Sequence, residues 1–214
     1  MTYPDYTRAE RIADGIIHAV GIAASVVAVV VLLIAAIPTL DVFSTTALAI
    51  YGVTVVALFS VSAAYHMVSH ADWKPVLRRF DQAAIFFKIA GTYTPLVVLI
   101  GSAFSYSILA FVWIAALLGA AAKLFLRHKL DGISVGIFLL LGWASLTLAW
   151  PIFETLPIAV SVLILAGGLL YSIGVVFHLW NGLKFQNAIW HAFVLAASAC
   201  HFSAVAAGAF TLSA

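Results

Sequence analysis

Seven long apolar runs constrain the fold of this 214-residue chain more than any other feature of its sequence. A helix needs about 20 apolar residues to cross the hydrocarbon core of a bilayer. Backbone groups in lipid must be satisfied within their own segment, so each run is predicted to be a membrane-spanning helix. We therefore expect an all-α fold, a seven-transmembrane helix bundle that forms one domain over residues 1–214. The predicted spans are residues 15–37, 44–66, 82–101, 104–122, 132–150, 157–180 and 187–211.

The composition agrees with a membrane protein and excludes two other classes. Charged residues make up 8% of the chain and hydrophobic residues 65%, whereas a soluble domain carries about 25% charged residues. The net charge of +2 is too small, and the basic residues too scattered, for a nucleic-acid binder. The expected partner is membrane lipid in a plasma or inner cell membrane. The oligomeric state has no signature in the sequence.

Positive charge falls on one side of the predicted bundle. With seven spans and a cytoplasmic N-terminus, nine of the ten Lys and Arg residues lie on the cytoplasmic side and the outer loops hold none. This is the asymmetry of the positive-inside rule. The sequence therefore predicts that the N-terminus is cytoplasmic and the C-terminus outside. The tenth cation, Lys88, lies inside the third span.

Ionisable side chains within the spans gather near their cytoplasmic ends. Such groups are costly in a membrane and are candidates for function by default. Five of them, from five different helices, are expected at one level: His18, His66, Asp81, His178 and His191.

Helical spacing adds detail to this cluster, because residues four apart share a helix face. Ser62 precedes His66 by one turn, and Asn187 precedes His191 by one turn. Two imidazoles with a carboxylate such as Asp81 form a ligand set typical of zinc. The sequence therefore predicts a metal site near the cytoplasmic face.

Structural roles are the alternatives for several of these residues. His178, close to Trp180, fits an interfacial position. Asp14 and Asp81 fit anions that stabilise helix N-termini. His201 follows His191 by ten residues, or about 15 Å of helical rise, which favours a separate buried hydrogen bond.

Several motifs resemble the hemolysin III family, which is related to the progestin and adipoQ receptors, including the adiponectin receptors, and more distantly to the alkaline ceramidases. The resemblance covers essentially the whole chain. The motifs are Glu10 to Asp14 with His18 and Gly21, Ser62-Ala-Ala-Tyr-His66, Phe80-Asp81, Ala90-Gly-Thr-Tyr-Thr-Pro95, Ala188-Ile-Trp-His191 and Cys200-His201-Phe202.

The resemblance implies a seven-helix membrane protein with a zinc ion, Zn²⁺, near the cytoplasmic face. It places metal ligands at His66 and His191, a carboxylate at Asp81 and a hydroxyl at Ser62. The family's third His ligand falls on Asn187, which is a departure, because an amide oxygen is a poorer zinc ligand than imidazole.

Three outcomes follow for the incomplete ligand set. Either Asp81 binds the metal directly, or His18 or His178 replaces the missing ligand, or the metal is held weakly. We expect His66 and His191 to bind the metal, with Asp81 ligating directly or through water.

Two classes of function fit these features. The first is hydrolysis of a lipid amide or ester within the bundle, with the metal polarising the carbonyl, Asp81 accepting a proton and Ser62 donating to the developing oxyanion. The second is a non-enzymatic role in membrane homeostasis: a regulator or receptor-like sensor, or a pore-forming haemolysin, with a structural metal or none.

Overall fold

The computed structural model describes residues 6–68, 72–126 and 134–211, and within these ranges all regular elements are helical. Seven segments are long and apolar enough to cross a membrane, which confirms the predicted seven-helix architecture. The fifth of them consists of α5, a 3-10 helix and α6. The elements are α1 (Arg8–Ala36), α2 (Val42–Met67), α3 (Lys74–Ile100), α4 (Ala103–Phe125), α5 (Ser134–Trp143), the 3-10 helix (Ala144–Leu148), α6 (Ala149–Thr155), α7 (Ile158–Leu179) and α8 (Gln186–Thr211).

Two helices begin seven or eight residues earlier than the apolar runs predict. α1 begins at Arg8, seven residues before the predicted start, because Thr7 and Glu10 form a capping box that satisfies the first free amides. α3 begins at Lys74 and not at residue 82. In both helices the additional turns carry charged side chains, which a search for apolar runs leaves out. These turns place Asp14 and Asp81 inside helices rather than at helix starts.

The fifth span is broken where the sequence predicts one helix ending at residue 150. A 3-10 segment interrupts it, and α6 then continues to Thr155. Pro151 is tolerated because it lies in the first turn of α6, where its missing N–H has no helical partner to lose. The hydroxyl of Tyr93 lies 2.9 Å from the carbonyl oxygen of Leu141 and 3.0 Å from that of Gly142. It therefore satisfies carbonyl groups beside the break.

The run Ala90–Pro95 makes contacts with several neighbouring helices. Gly91 lies so close to α2 that a Cβ atom there would collide with the side chain of Thr54. Thr94 accepts a hydrogen bond of 3.1 Å from Trp113 Nε1 of α4, while Tyr93 contacts the fifth span. This run therefore fixes the central position of α3 in the bundle.

α1 packs against α2 and also against α8, so the first and the last described helices lie side by side. α7 packs along α8. The starts of α1, α3 and α8 share one end of the bundle with the ends of α2, α4 and α7. We call this end the cationic end, because it holds Lys74 and Lys184 with Arg8, Arg11, Arg78, Arg79 and Lys123, whereas Arg127 and Lys129 lie outside the described residues. There Glu10 Oε1 accepts a hydrogen bond of 2.9 Å from the backbone N–H of Phe185, which ties α1 to the segment before α8.

Candidate metal centre

Four side chains from three helices meet near the cationic end. We call them the four-residue group: Asp14 and His18 of α1, His66 of α2 and His191 of α8. One ligand atom from each lies within 4.8 Å of all the others. Asp14 is 5% exposed, His18 2% and His191 6%, while His66 is partly buried. The group therefore lies in the interior of the bundle.

Asp14 is the central member of the group. Its Oδ1 atom lies 2.6 Å from Nδ1 of His191, which is the distance of a charge-assisted hydrogen bond. The same oxygen lies 3.7 Å from Nε2 of His18, and Oδ2 lies 3.6 Å from Nδ1 of His66. The carboxylate thus faces all three imidazoles.

The imidazole rings pack closely around this carboxylate. The ring centroids of His18 and His191 are 4.3 Å apart, and those of His66 and His191 are 4.4 Å apart. The Nε2 atom of His18 is buried and has no hydrogen-bond partner in the described part of the chain. A buried polar atom without a partner is costly, and a bound ion would satisfy it.

This donor set fits a metal ion. Zinc in proteins takes four nitrogen, sulfur or oxygen ligands at about 2.0–2.3 Å, and three His with one carboxylate belong to its usual choices. Ligand atoms around such an ion are separated by about 3.3 Å. The separations of 3.6 Å from Asp14 Oδ2 to His66 and of 3.7 Å from Asp14 Oδ1 to His18 are close to this value, whereas the 2.6 Å contact with His191 is a hydrogen bond. The group therefore has the composition and spacing of a metal site.

Asn187 lies at the edge of the group. Its Nδ2 atom is 3.4 Å from Nδ1 of His66, and its side chain also hydrogen-bonds the hydroxyl of Tyr6. Burial raises the pKa of Tyr6, which precedes α1, and the bond to Asn187 offsets part of that rise. Asn187 thus contacts His66 through a polar side chain, while α1 supplies two donors that the family resemblance does not name as ligands.

Asp81 and Ser62 form a second polar pair next to the group. Ser62 is buried on α2, one turn before His66, and it hydrogen-bonds the Asp81 carboxylate. Asp81 is partly exposed to the interior cavity and is not part of the four-residue group. The hydroxyl and the carboxylate that the sequence singles out are therefore in contact, and their catalytic roles remain predictions.

His178, the other candidate for a replacement ligand, lines the same cavity but is not a member of the four-residue group. It is exposed, and its ring packs against Trp190 with centroids 4.9 Å apart. His18 is the candidate that the structure brings together with His66 and His191.

A cavity of about 1730 Å³ extends from the group through the interior of the bundle. It reaches along α3 from Lys74 to Leu96, which is about 33 Å of helical rise. Among the residues that line it, Leu146, Trp150 and Leu165 are also exposed on the outer surface of the bundle. The cavity therefore borders the surface that faces lipid.

Sequence reasoning missed the place of Asp14. The sequence alone favours a role for Asp14 at a helix N-terminus. In the structure α1 begins six residues before Asp14, and Asp14 is buried against His191. The available signal is the spacing of four that joins Glu10, Asp14 and His18 on one face of α1. A buried face that carries two ionisable side chains needs partners, and α2 and α8 supply them.

Comparison with known proteins agrees with this architecture. The sequence profile of the family described as "Haemolysin-III related" matches residues 6–202. The chain is 34% identical to the "Hemolysin-3 homolog" of Bacillus subtilis (strain 168) over 203 residues, 94% of each chain. It is 34% identical to "Hemolysin-3" of Bacillus cereus over 197 residues, 92% of this chain and 90% of that one.

A human relative extends the comparison to the progestin and adipoQ receptors. The "Monocyte to macrophage differentiation factor" of Homo sapiens is 33% identical over 168 residues, 73% of this chain and 67% of the human one. With seven apolar helices and matches over nearly its whole length, the chain belongs to the hemolysin III family of multi-pass membrane proteins.

Proposed function

We propose that this protein is a zinc-dependent hydrolase that cleaves an amide or ester bond of a membrane lipid inside the bundle. The observation that carries the proposal is the position of the four-residue group. It lies beside the Asp81–Ser62 pair, in a cavity that borders the lipid-facing surface.

His18, His66 and His191 would hold the ion, with Asp14 as a fourth ligand or as the group that orients His191. When bound, zinc polarises a carbonyl group and makes water a stronger acid near neutral pH. Asp14 already orients His191 through the 2.6 Å contact. Carboxylates that orient ligating imidazoles in this way also fix the ring nitrogen that is free to bind metal.

Asp81 is the candidate proton acceptor. Its carboxylate is partly open to the cavity and fixed by the hydrogen bond from Ser62. A proton acceptor has to be within hydrogen-bond reach of the attacking water in the substrate complex, and a fixed carboxylate meets that requirement best. Ser62 donates to Asp81 in this structure. It would turn toward the substrate oxygen once Asp81 takes up a proton.

The shape of the cavity supports a lipid as the substrate. Apolar side chains of α3, the fifth span and α7 line most of it, so an acyl chain can pass from the lipid into the cavity without exposing apolar surface to water. The polar groups at the cationic end then meet the linkage between head group and chain. A long-chain amide or ester fits both the apolar part of the cavity and the polar part at the cationic end.

The test uses purified, zinc-loaded protein in mixed micelles with a long-chain ceramide, and release of fatty acid is measured. Asp81→Asn is expected to lower the rate by about 100-fold or more, as for loss of a general base. Asp41→Asn, at the other end of the bundle, is the matched control and should keep the wild-type rate. Equal release from the wild type and Asp81→Asn would refute the proposal.

A structural metal is the second candidate, because the four-residue group joins α1, α2 and α8. In that case zinc raises the thermal stability of the wild type more than that of His191→Ala, and neither protein releases fatty acid. Leakage of a dye from liposomes that contain the protein separates a pore-forming haemolysin from this regulator role.

A further inference from the structure

Lys88 is a buried cation at the middle of a membrane-spanning helix. It is residue 15 of the 27 in α3 and is 4% exposed. Neither end of the helix is within reach of its side chain, because each is about 20 Å away by helical rise. Its Nζ atom lies beside His201 of α8, so the side chain does not extend to the membrane surface, as lysines near helix ends do.

The surroundings of Lys88 are polar but not anionic. Its Nζ atom lies 3.4 Å from Nδ1 of His201 and 4.4 Å from the ring centre of Tyr171. The hydroxyl of Tyr171 lies 2.7 Å from Oγ of Ser198, and His201 Nε2 lies 3.4 Å from the carbonyl oxygen of Ile164. This polar patch is held in place by contacts among α3, α7 and α8.

Among the described residues, no carboxylate forms an ion pair with Lys88, and the ion pairs found near the cavity are those of Asp14 with the three imidazoles. Asp81 precedes Lys88 by seven residues, or about 10 Å of helical rise. Burying an ammonium group without an anion is strongly unfavourable. A ligand that brings its own negative charge would compensate for this cost.

The cavity shows what kind of anion fits. Lys88, Tyr171 and His201 all line it. Beyond Lys88, on the side away from the four-residue group, the lining includes Leu96, Leu148 and Ile152. A ligand at this position meets a cation at one end and apolar side chains along the rest of its length.

We propose that Lys88, positioned by His201, binds the carboxylate of a long-chain amphiphile such as a free fatty acid, with its chain along Leu96, Leu148 and Ile152. The site is separate from the four-residue group, because His201 follows His191 by ten residues, about 15 Å of helical rise. It requires neither a metal nor hydrolysis, so it stands independently of the proposed function.

The experiment measures binding of radiolabelled palmitate to the zinc-loaded full-length protein in detergent. Lys88→Met should weaken binding by on the order of 30-fold or more, which is typical when one partner of a buried charge pair is removed. Hexadecanol, which has the same chain length and no charge, should bind weakly and equally to the wild type and to Lys88→Met. Acetate should not compete with palmitate.

Two controls separate this site from the metal group and from misfolding. Removal of zinc from the wild type with a chelator should leave its palmitate affinity unchanged within about threefold, since Lys88 is not part of the four-residue group. Lys88→Met should unfold at the same or a higher temperature than the wild type, because it removes a buried charge. Unchanged palmitate affinity of Lys88→Met, loss of palmitate binding on removal of zinc, or competition by acetate would each overturn the proposal.

Discussion

Replacing Asp14 by Asn tests whether this carboxylate takes part in metal binding. The substitution keeps the shape of the side chain and removes its charge. The contact of 2.6 Å between Asp14 Oδ1 and His191 Nδ1 is shorter than the separation of about 3.3 Å between two ligands of one zinc ion. It corresponds instead to a hydrogen bond that leaves Nε2 of His191 free for the metal.

The expected magnitude follows from this geometry. Loss of a carboxylate that orients a ligating imidazole lowers metal affinity by about 10- to 100-fold, or about 1.4–2.7 kcal/mol. Loss of the charge-assisted hydrogen bond also lowers the metal-free stability by about 1.5–3 kcal/mol. His191→Ala should weaken zinc binding more than Asp14→Asn, because it removes the ligand as well as the orienting bond.

Competition with a chromophoric zinc chelator, read on detergent-purified protein, gives the affinity directly. Asp41→Asn is the matched control, because Asp41 is an exposed carboxylate that caps α2 at the opposite end of the bundle. An affinity of Asp14→Asn within about threefold of the wild type would contradict the reasoning. Elemental analysis of the same samples gives the stoichiometry.

Three further changes probe other parts of the structure. Asn187→His places an imidazole next to His66 and should tighten zinc binding by about tenfold in the same competition assay; unchanged affinity would show that this position does not face the ion. Gly91→Val puts a side chain into α2 and should destabilise the protein by about 1–3 kcal/mol in thermal unfolding, whereas Gly136→Ala, where a Cβ meets open space, should have little effect. Hydrogen bonds from Ser44 and Phe43 lower the pKa of Asp41 in the folded protein. The ionised Asp41 therefore stabilises the folded protein at pH values above the pKa that it has in the unfolded chain, and this stabilisation is lost as the pH falls through the pKa of the folded state. Asp41→Asn should therefore show a smaller loss of melting temperature between pH 6 and pH 3 than the wild type, and an unchanged profile would argue against this linkage.

The number of spans could be predicted because lipid leaves the backbone no alternative to helices. The starts of α1 and α3 could not, because their first turns carry charges that depend on caps and partners for their placement. The carbonyl groups beside the break in the fifth span bind the hydroxyl of Tyr93, which lies more than 45 residues away in the chain. No local pattern near Leu141 reports that contact.

Only part of the site could be predicted, because some of its contacts depend on the packing of distant helices. His66 and His191 stand at helix ends on one level, so their meeting follows from topology and helical rise. Asp14 joins them because α1 packs between α2 and α8, and this packing is a property of the whole bundle. The resemblance to known proteins drew attention to Asn187 and Asp81, whereas the structure adds two donors from α1.

The contact between Asp14 and His191 joins residues 177 positions apart. During biosynthesis α1 enters the membrane before α8, so α1 carries a buried carboxylate that waits for its partner until the helices between them have been made. The four-residue group can bind a metal ion with all of its members only after α8 has been inserted. Metal content would then report complete assembly, and a chain that ends before residue 191 would lack this check on its own completion.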